Sequence, residues 1–352
     1  VSETHEILFE RRGAAGLVTL NRPAALNAVT YGMVTGLRAR LDAWAKDENI
    51  TRVVIQAAGS RAFSAGGDIR HLYELGRAGK QDEMLQFWRD EYPLNAAIKN
   101  YPKPYVALID GIVMGGGVGV SLHGSHRVAG DRFSFAMPEV GIGFFPDVGA
   151  TWFLPRMPGE LGTYCGLTGA RLDGADALAA GLATHRVASA RFAELVESLA
   201  GGAPVDDVLA ALMEPAGEGR LAAGRARIDR LFAGSRVEDI LAALDREAAS
   251  GTADAEGAAK IAATMRAKSP LSLKLALAQV RRGKDWDFAT CMRAEFRIVS
   301  RIVHDHDFYE GVRAVIVDKD NVPRWQPAAL ADVSDAEVER HFAPLDDELR
   351  LP

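Results

Sequence analysis

The 352 residues are more than one small domain needs and enough to bury a large core. Hydrophobic residues at 48% and charged residues at 25% exclude a disordered or collagen-like chain, and a net charge of −6 has the wrong sign for non-specific attraction to nucleic acid. The unusual figure is 35 glycines, a residue used where backbone turns with positive φ or comes close to something else.

In chain order, Val1–Glu6 is polar and acidic, without the basic segment and apolar run of a secretory leader. Glu6 to Asn21 reads as two short strands joined by a turn at Gly13 to Gly16, closed by Pro23. Met33, Leu37, Leu41 and Trp44 give Thr30 to Ala45 a helical period. Val53 to Ala57 and Tyr105 to Ile109 read as short buried strands, each running into a glycine cluster and then a helix. Strand, glycine turn and helix in alternation predict an α/β architecture with crossover connections. The run Tyr105–Leu122 is interrupted by Asp110 and holds five glycines, so a membrane span is not expected. The character changes near Gly201–Pro204. Beyond it, Ala, Leu, Arg and Glu recur with helical period, as at Val237, Ile240, Leu241 and Leu244, and Ser269–Pro270 reads as an N-cap with proline at the first helical position. The expected organisation is an α/β core over 1–200, a helical segment over 201–266, and a helical C-terminal region over 267–352 that covers the active site. Cys165 and Cys291 lie far apart with no C-x-x-C pattern, which suits a reducing compartment, and a cytoplasmic location is expected.

Three stretches carry chemistry. Phe63–Ile69 (F-S-A-G-G-D-I) and Asp110–Ser121 are glycine clusters, the second with three consecutive glycines opening an apolar helical segment. Exposed N–H groups at such a start make an anion or oxyanion site, although tight packing is the commoner use of glycine. The G-x-x-x-x-G-K-[ST], G-x-G-x-x-G and G-x-S-x-G patterns do not occur, which removes the main support for phosphate-loop, dinucleotide and serine-hydrolase readings. His123 with His126, and His304 with His306, lack the companions of a metal site, so no metal is expected. In Phe135–Gly149, Glu139 and Asp147 stand among Met137, Val140, Phe144 and Phe145, and apolar company raises a carboxyl pKa toward useful acid–base values. Glycines and a proline between them rule out one regular helix; a loop must bring them together. A first-turn glutamate and an ordinary Pro-Asp turn are the plain alternatives.

The ordered set of 63–69, K-P-Y-V-A-L-I-D-G-I-V-M-G-G-G-V-G (103–119), F-A-M-P-E-V-G-I-G-F-F-P-D-V-G (135–149) and L-T-G-A-R-L-D-G-A-D-A-L-A-A-G-L-A (167–183) resembles the crotonase, or enoyl-CoA hydratase/isomerase, superfamily. The resemblance implies a ClpP/crotonase-like fold of repeated ββα units, association into trimers or hexamers, and a CoA thioester whose carbonyl oxygen sits between two backbone N–H groups. Carried over by motif, these belong to Gly67 and Gly116, with the Ser64, Ala65 and Gly66 backbone near the CoA adenine and Asp68 beside it. Family hydratases use two glutamates. Here the first position is Gly119, only Glu139 of the pair remains, and Asp147 stands eight residues on where hydratases commonly have glycine. That departure, with H-G-S-H-R-V-A (123–129) and H-D-F-Y-E-G-V-R-A-V-I-V-D-K-D-N-V-P-R-W (306–325), resembles most the branch of 3-hydroxyisobutyryl-CoA hydrolases of valine breakdown.

Hydrolysis asks less of a site than hydration. A thiol has a pKa near 8.5, so its thiolate leaves with little acid help, and one carboxylate suffices as base or nucleophile beside an oxyanion hole. Glu139 takes that part, and Asp147 holds the substrate's β-hydroxyl or orients Glu139 and the water. Arg70, Lys319 and Arg324 are candidates for the CoA phosphates. No cofactor is expected beyond the CoA of the acyl-CoA substrate. The alternatives are a hydratase, dehydratase or isomerase of the same superfamily, and a non-catalytic CoA-ester-binding protein.

Overall fold

The computed structural model describes residues 5–352; of the polar start read at Val1–Glu6, residues 1–4 lie outside the described residues. Ile7–Arg12 (β1) pairs antiparallel with Ala15–Leu20 (β2) across the two residues Gly13 and Ala14. Gly16, expected in the turn, is a strand residue instead. It is glycine because the Trp44 ring lies against it: a side-chain carbon there would come within 2.6 Å of the indole. The helix Tyr31–Lys46 starts where Thr30 Oγ1 accepts from Met33 N at 3.2 Å, and it buries the predicted Met33, Leu37, Leu41 and Trp44. A cap of this kind is worth about 1 kcal/mol.

Three strand pairs follow: Arg52–Ala57 (β3) with Ala62–Ser64 (β4), Tyr105–Ile109 (β5) with Ile112–Met114 (β6), and His126–Ala129 (β7) with Ser134–Ala136 (β8); His185–Arg186 (β9) comes last. The first member of each pair joins one sheet, of order β1-β2-β3-β5-β7-β9 and parallel beyond the first hairpin. The second member joins a separate parallel sheet, β4-β6-β8. A helix or helical turn then leaves each small-sheet strand, at Ile69–Arg77, Gly116–Gly119 and Glu139–Ile142. This is the repeated ββα unit, and it delivers three chain reversals to one edge of the small sheet.

Successive strand residues point to opposite faces, and in the large sheet both faces are buried, as parallel strands require. One face, with Leu17, Val54, Val106, Leu108 and Val128, is covered by the helices Phe192–Ala200 and Val205–Leu212. The Gly201–Pro204 stretch joins these two helices of one layer. Leu209 is fully buried there, so Leu209→Ala is expected to cost about 2–5 kcal/mol. The other face, with Val53, Ile55, Tyr105 and Ala107, belongs to an apolar cluster that also contains Leu273, Phe296 and Val299 of the C-terminal helices Pro270–Gly283 and Phe288–Ile302. Ser269 caps the first of these, accepting from Ser272 N at 3.2 Å ahead of Pro270.

Candidate active site

The two glycine clusters meet because β4 and β6 are parallel neighbours. After Ser64, Gly66 turns with φ +119 and Asp68 caps the next helix, its Oδ1 accepting from His71 N at 3.3 Å. After Met114, Gly115 turns with φ +44 into the short helix. Each glycine of the triplet faces a different group. A side-chain carbon on Gly115 would lie 3.4 Å from Glu139 Oε1, one on Gly116 would lie 2.8 Å from Glu91 Oε1 and 3.2 Å from Gly67 N, and one on Gly117 would meet Ser64 O at 2.6 Å. Close approach demands glycine at 116 and 117, and the positive φ demands it at 115. Among the described residues the Gly67 and Gly116 N–H groups donate to no protein acceptor, so both are available to one oxygen atom between them.

Glu139 opens the helical turn after Pro138 and is 7% exposed. Burial, then the nearby Asp147, pushes its carboxyl well above the ordinary range. Asp147 follows Pro146 in a loop, is buried, and accepts from the Tyr92 hydroxyl at 3.0 Å. Burial pushes it up to about 7 against the opposing pull of Tyr92 and the Trp88 indole. The loop between the two carboxylates does bring both into one cavity of about 750 Å³, floored by Phe87, Trp88 and Phe144. The Trp88 and Phe144 rings stack at 5.6 Å. C-terminal residues form part of the wall: Lys268, Val315, Ile316 and Asn321. They are anchored on the Glu139 turn itself, because Ser269 N donates to Val140 O, Gly311 lies against the Ile142 backbone, and Gly143 lies against Asp307 O.

Glu91, which the sequence reading missed, is a third buried carboxylate in the cavity, carried by the helix Gln81–Lys99. Burial, then Asp147 and Glu295, raises its pKa well above the usual carboxylate range. Glu91 Oε1 and Glu139 Oε2 have no partner among the described residues, and buried carboxylate oxygens without partners point to a polar ligand. The available signal was periodicity: Trp88, Glu91, Tyr92 and Asn95 recur at helical spacing, which puts an acid on an apolar face. Gly119 is glycine because the Asn95 carboxamide fills the space: a side-chain carbon would come within 2.7 Å of Asn95 Nδ2 and 3.1 Å of Val148 Cβ.

Of the expected binding residues, Ala65, Gly66, Asp68 and Arg70 line the cavity with Gly67 and Gly116. Ser64 does not. It is fully buried under Gly117, at 3.4 Å from Gly66 N through its hydroxyl. Lys319 is exposed on a loop with φ +59, and it is Asn321, two residues on, that reaches the cavity wall. Arg324 is likewise exposed. Asp68 is occupied by its cap and by Arg22 at 3.1 Å, and Arg70 donates to Ile316 O at 3.0 Å. Lys268, not foreseen, is the half-buried lysine of the wall, with its pKa lowered by burial.

A family profile described as enoyl-CoA hydratase/isomerase matches residues 15–342. A Danio rerio protein named mitochondrial 3-hydroxyisobutyryl-CoA hydrolase is 44% identical over 97% of this chain and 90% of its own length. The Homo sapiens protein of that name is 41% identical over 97% and 89%. Among solved structures, a carnitinyl-CoA dehydratase from Mycobacterium thermoresistibile superposes with a TM-score of 0.91 at 44% identity, covering 99% of both chains. An enoyl-CoA hydratase from Rhodobacter sphaeroides gives 0.91 at 41%, covering 98% of this chain and 100% of its own. With its motifs, its ββα repeat and its paired glycine N–H groups all in place, the chain belongs to the enoyl-CoA hydratase/isomerase, or crotonase, family.

Proposed function

We propose that this protein hydrolyses a short β-hydroxyacyl-CoA thioester, 3-hydroxyisobutyryl-CoA first among them, to the free hydroxy acid and CoA, as a step of valine breakdown. The observation that carries the reading is the convergence of the Gly67 and Gly116 N–H groups beside Glu139, with Asn95 filling the space at Gly119. The thioester carbonyl oxygen lies between the two N–H groups. Glu139 either takes a proton from the water that attacks the carbonyl carbon or attacks it itself; the oxygen takes the charge, the C–S bond breaks and the sulfur leaves as thiolate, and on the second route a water then cleaves the Glu139 anhydride to release the acid. Asp147 and Glu91 face the acyl chain and receive its β-hydroxyl. Lys268 supplies a cation along the CoA arm. CoA enters as part of the substrate, and the steps described call on no separate cofactor. Trimers or hexamers, and a reducing compartment such as the cytoplasm, complete the proposal; two buried free thiols, Cys165 and Cys291, support the latter.

The test is thiol release from 3-hydroxyisobutyryl-CoA. Glu139→Gln is expected to lower kcat by at least about 100-fold. No thiol from the wild-type protein, or full activity in Glu139→Gln, overturns the assignment. Glu91 favours one second reading, hydration or dehydration of the same acyl chain, since it restores a second glutamate to the site from another helix. Loss of an unsaturated CoA ester without thiol release would establish that reading instead.

A further inference from the structure

We propose that Glu295, on the C-terminal helix Phe288–Ile302, is a positioning residue that fixes the Asp147 loop and so sets the selectivity for a β-hydroxylated ester. The proposal rests on the function above only in taking Asp147 as a group that meets the hydroxyl. The chain turns sharply after Asp147. Val148 has φ +52 and Gly149 φ +92, and a β-branched residue in the left-handed region persists only where its surroundings over-determine it.

Three buried side chains do this. Glu295, 0% exposed, accepts from Gly149 N through Oε2 and from Thr151 N through Oε1, each at 2.8 Å. Gln279 Nε2, on the neighbouring C-terminal helix, donates to Pro146 O at 2.9 Å and to Thr151 Oγ1 at 2.8 Å. His123 meets Val148 O through Nε2 at 2.6 Å, and the carbonyl makes that nitrogen the donor. The loop is therefore held on both sides of Asp147, and the two C-terminal helices grip it through Glu295 and Gln279. Among the described residues Glu295 hydrogen-bonds neither Glu91 nor Asp147; it holds the backbone that carries Asp147, and its charge adds to the rise of the Glu91 pKa. A carboxylate suits this task, since it accepts at both oxygens, whereas an amide turns an NH2 toward one of the two N–H donors.

The experiment compares equilibrium binding of 3-hydroxyisobutyryl-CoA and isobutyryl-CoA to the full chain in a Glu139→Gln background. Binding needs no turnover, so failure of the hydrolase reading, seen as absent thiol release, is separable from failure of this inference. Adding Glu295→Gln is expected to cut the preference for the hydroxylated ester by roughly tenfold or more while affinity for isobutyryl-CoA stays within about threefold. Asp147→Asn is expected to do the same, and the Glu295→Gln/Asp147→Asn pair to lose no more than Asp147→Asn alone. If Glu295→Gln does not fold, Gln279→Met, which removes the neighbouring clamp, is expected to give the same ligand pattern. Equal loss for both esters, or losses that add to that of Asp147→Asn, would overturn the proposal.

Discussion

Replacing Asp147 by asparagine should strengthen the fold and weaken the function, and the first effect has a pH signature. Burial pushes the Asp147 carboxyl up to about 7, whereas an aspartate in an unfolded chain titrates near 3.9. Between about pH 4 and pH 7 the folded protein therefore keeps a proton that the unfolded chain has released, and stability falls as pH rises. The contribution is complete below the unfolded value and gone above the folded one. Asparagine does not titrate and still offers an oxygen to the Tyr92 hydroxyl. One pKa unit corresponds to about 1.4 kcal/mol, and the folded carboxyl is half ionised near pH 7, so from about pH 5 to about pH 7 the wild-type protein should lose about 2 kcal/mol relative to Asp147→Asn. Urea unfolding of both proteins at several pH values across that window reads the difference. A gap that stays constant, or shrinks with rising pH, would refute the argument. Thiol release from the hydroxylated ester should fall in the same variant, the usual exchange of stability for function at a buried charged site.

Gly116→Ala places a carbon 2.8 Å from Glu91 Oε1 and 3.2 Å from Gly67 N; kcat for thiol release should fall by about 100-fold, and an unchanged rate would remove the oxyanion hole from the mechanism. Gly119→Ala drives a carbon into Asn95 and Val148 and should cost about 1–3 kcal/mol in denaturant unfolding. Lys268→Met should raise KM several-fold at unchanged kcat; a fall in kcat alone would place Lys268 in the chemistry instead. Because Glu139 must be ionised to act and burial holds its carboxyl well above the usual range, kcat/KM should climb with pH above the ordinary carboxylate range; a flat profile there would exclude Glu139 as the ionised group.

β1, β2, β3 and β5, the Tyr31–Lys46 helix, the Ser269 cap and the glycine loops were legible because each depends on local period or local turn chemistry. Glu139 and Asp147 were legible as acids among apolar neighbours, and the motif order placed Gly67 and Gly116 together. What sequence did not reveal was contributed across long separations. Glu91 and Asn95 reach the site from a helix with no family motif, Lys268 reaches it from the C-terminal region, and Glu295 grips a loop 144 residues away from it in the chain. Ser64 and Lys319, placed near the ligand by motif adjacency, lie outside the cavity lining: a strand's alternation buries the Ser64 side chain, and a loop turning with positive φ leaves Lys319 in solvent.

The carboxylate missing at Gly119 changes more than the count of acids. A hydratase-type glutamate would stand on the same short helix that supplies the Gly116 N–H, whereas this chain fills that space with Asn95 and brings Glu91 from the same helix as Asn95, one turn earlier, against Gly116 and near Asp147. Two buried carboxyls this close raise each other's pKa and do not both ionise readily. With one protonated, the pair presents one donor and one acceptor; with both ionised it would only accept. A hydroxyl is itself donor and acceptor, so a β-hydroxyl satisfies both members at once, while an unsubstituted acyl chain leaves buried polar atoms without partners. Penalties of that kind discriminate far more strongly than a missing methylene does. In the proposed reading, the helix that fills the space at Gly119 with Asn95 also supplies Glu91, which with Asp147 reads the β-hydroxyl, so selectivity for the hydroxylated ester goes together with the glycine at 119 that favours cleaving a thioester over adding water to a double bond.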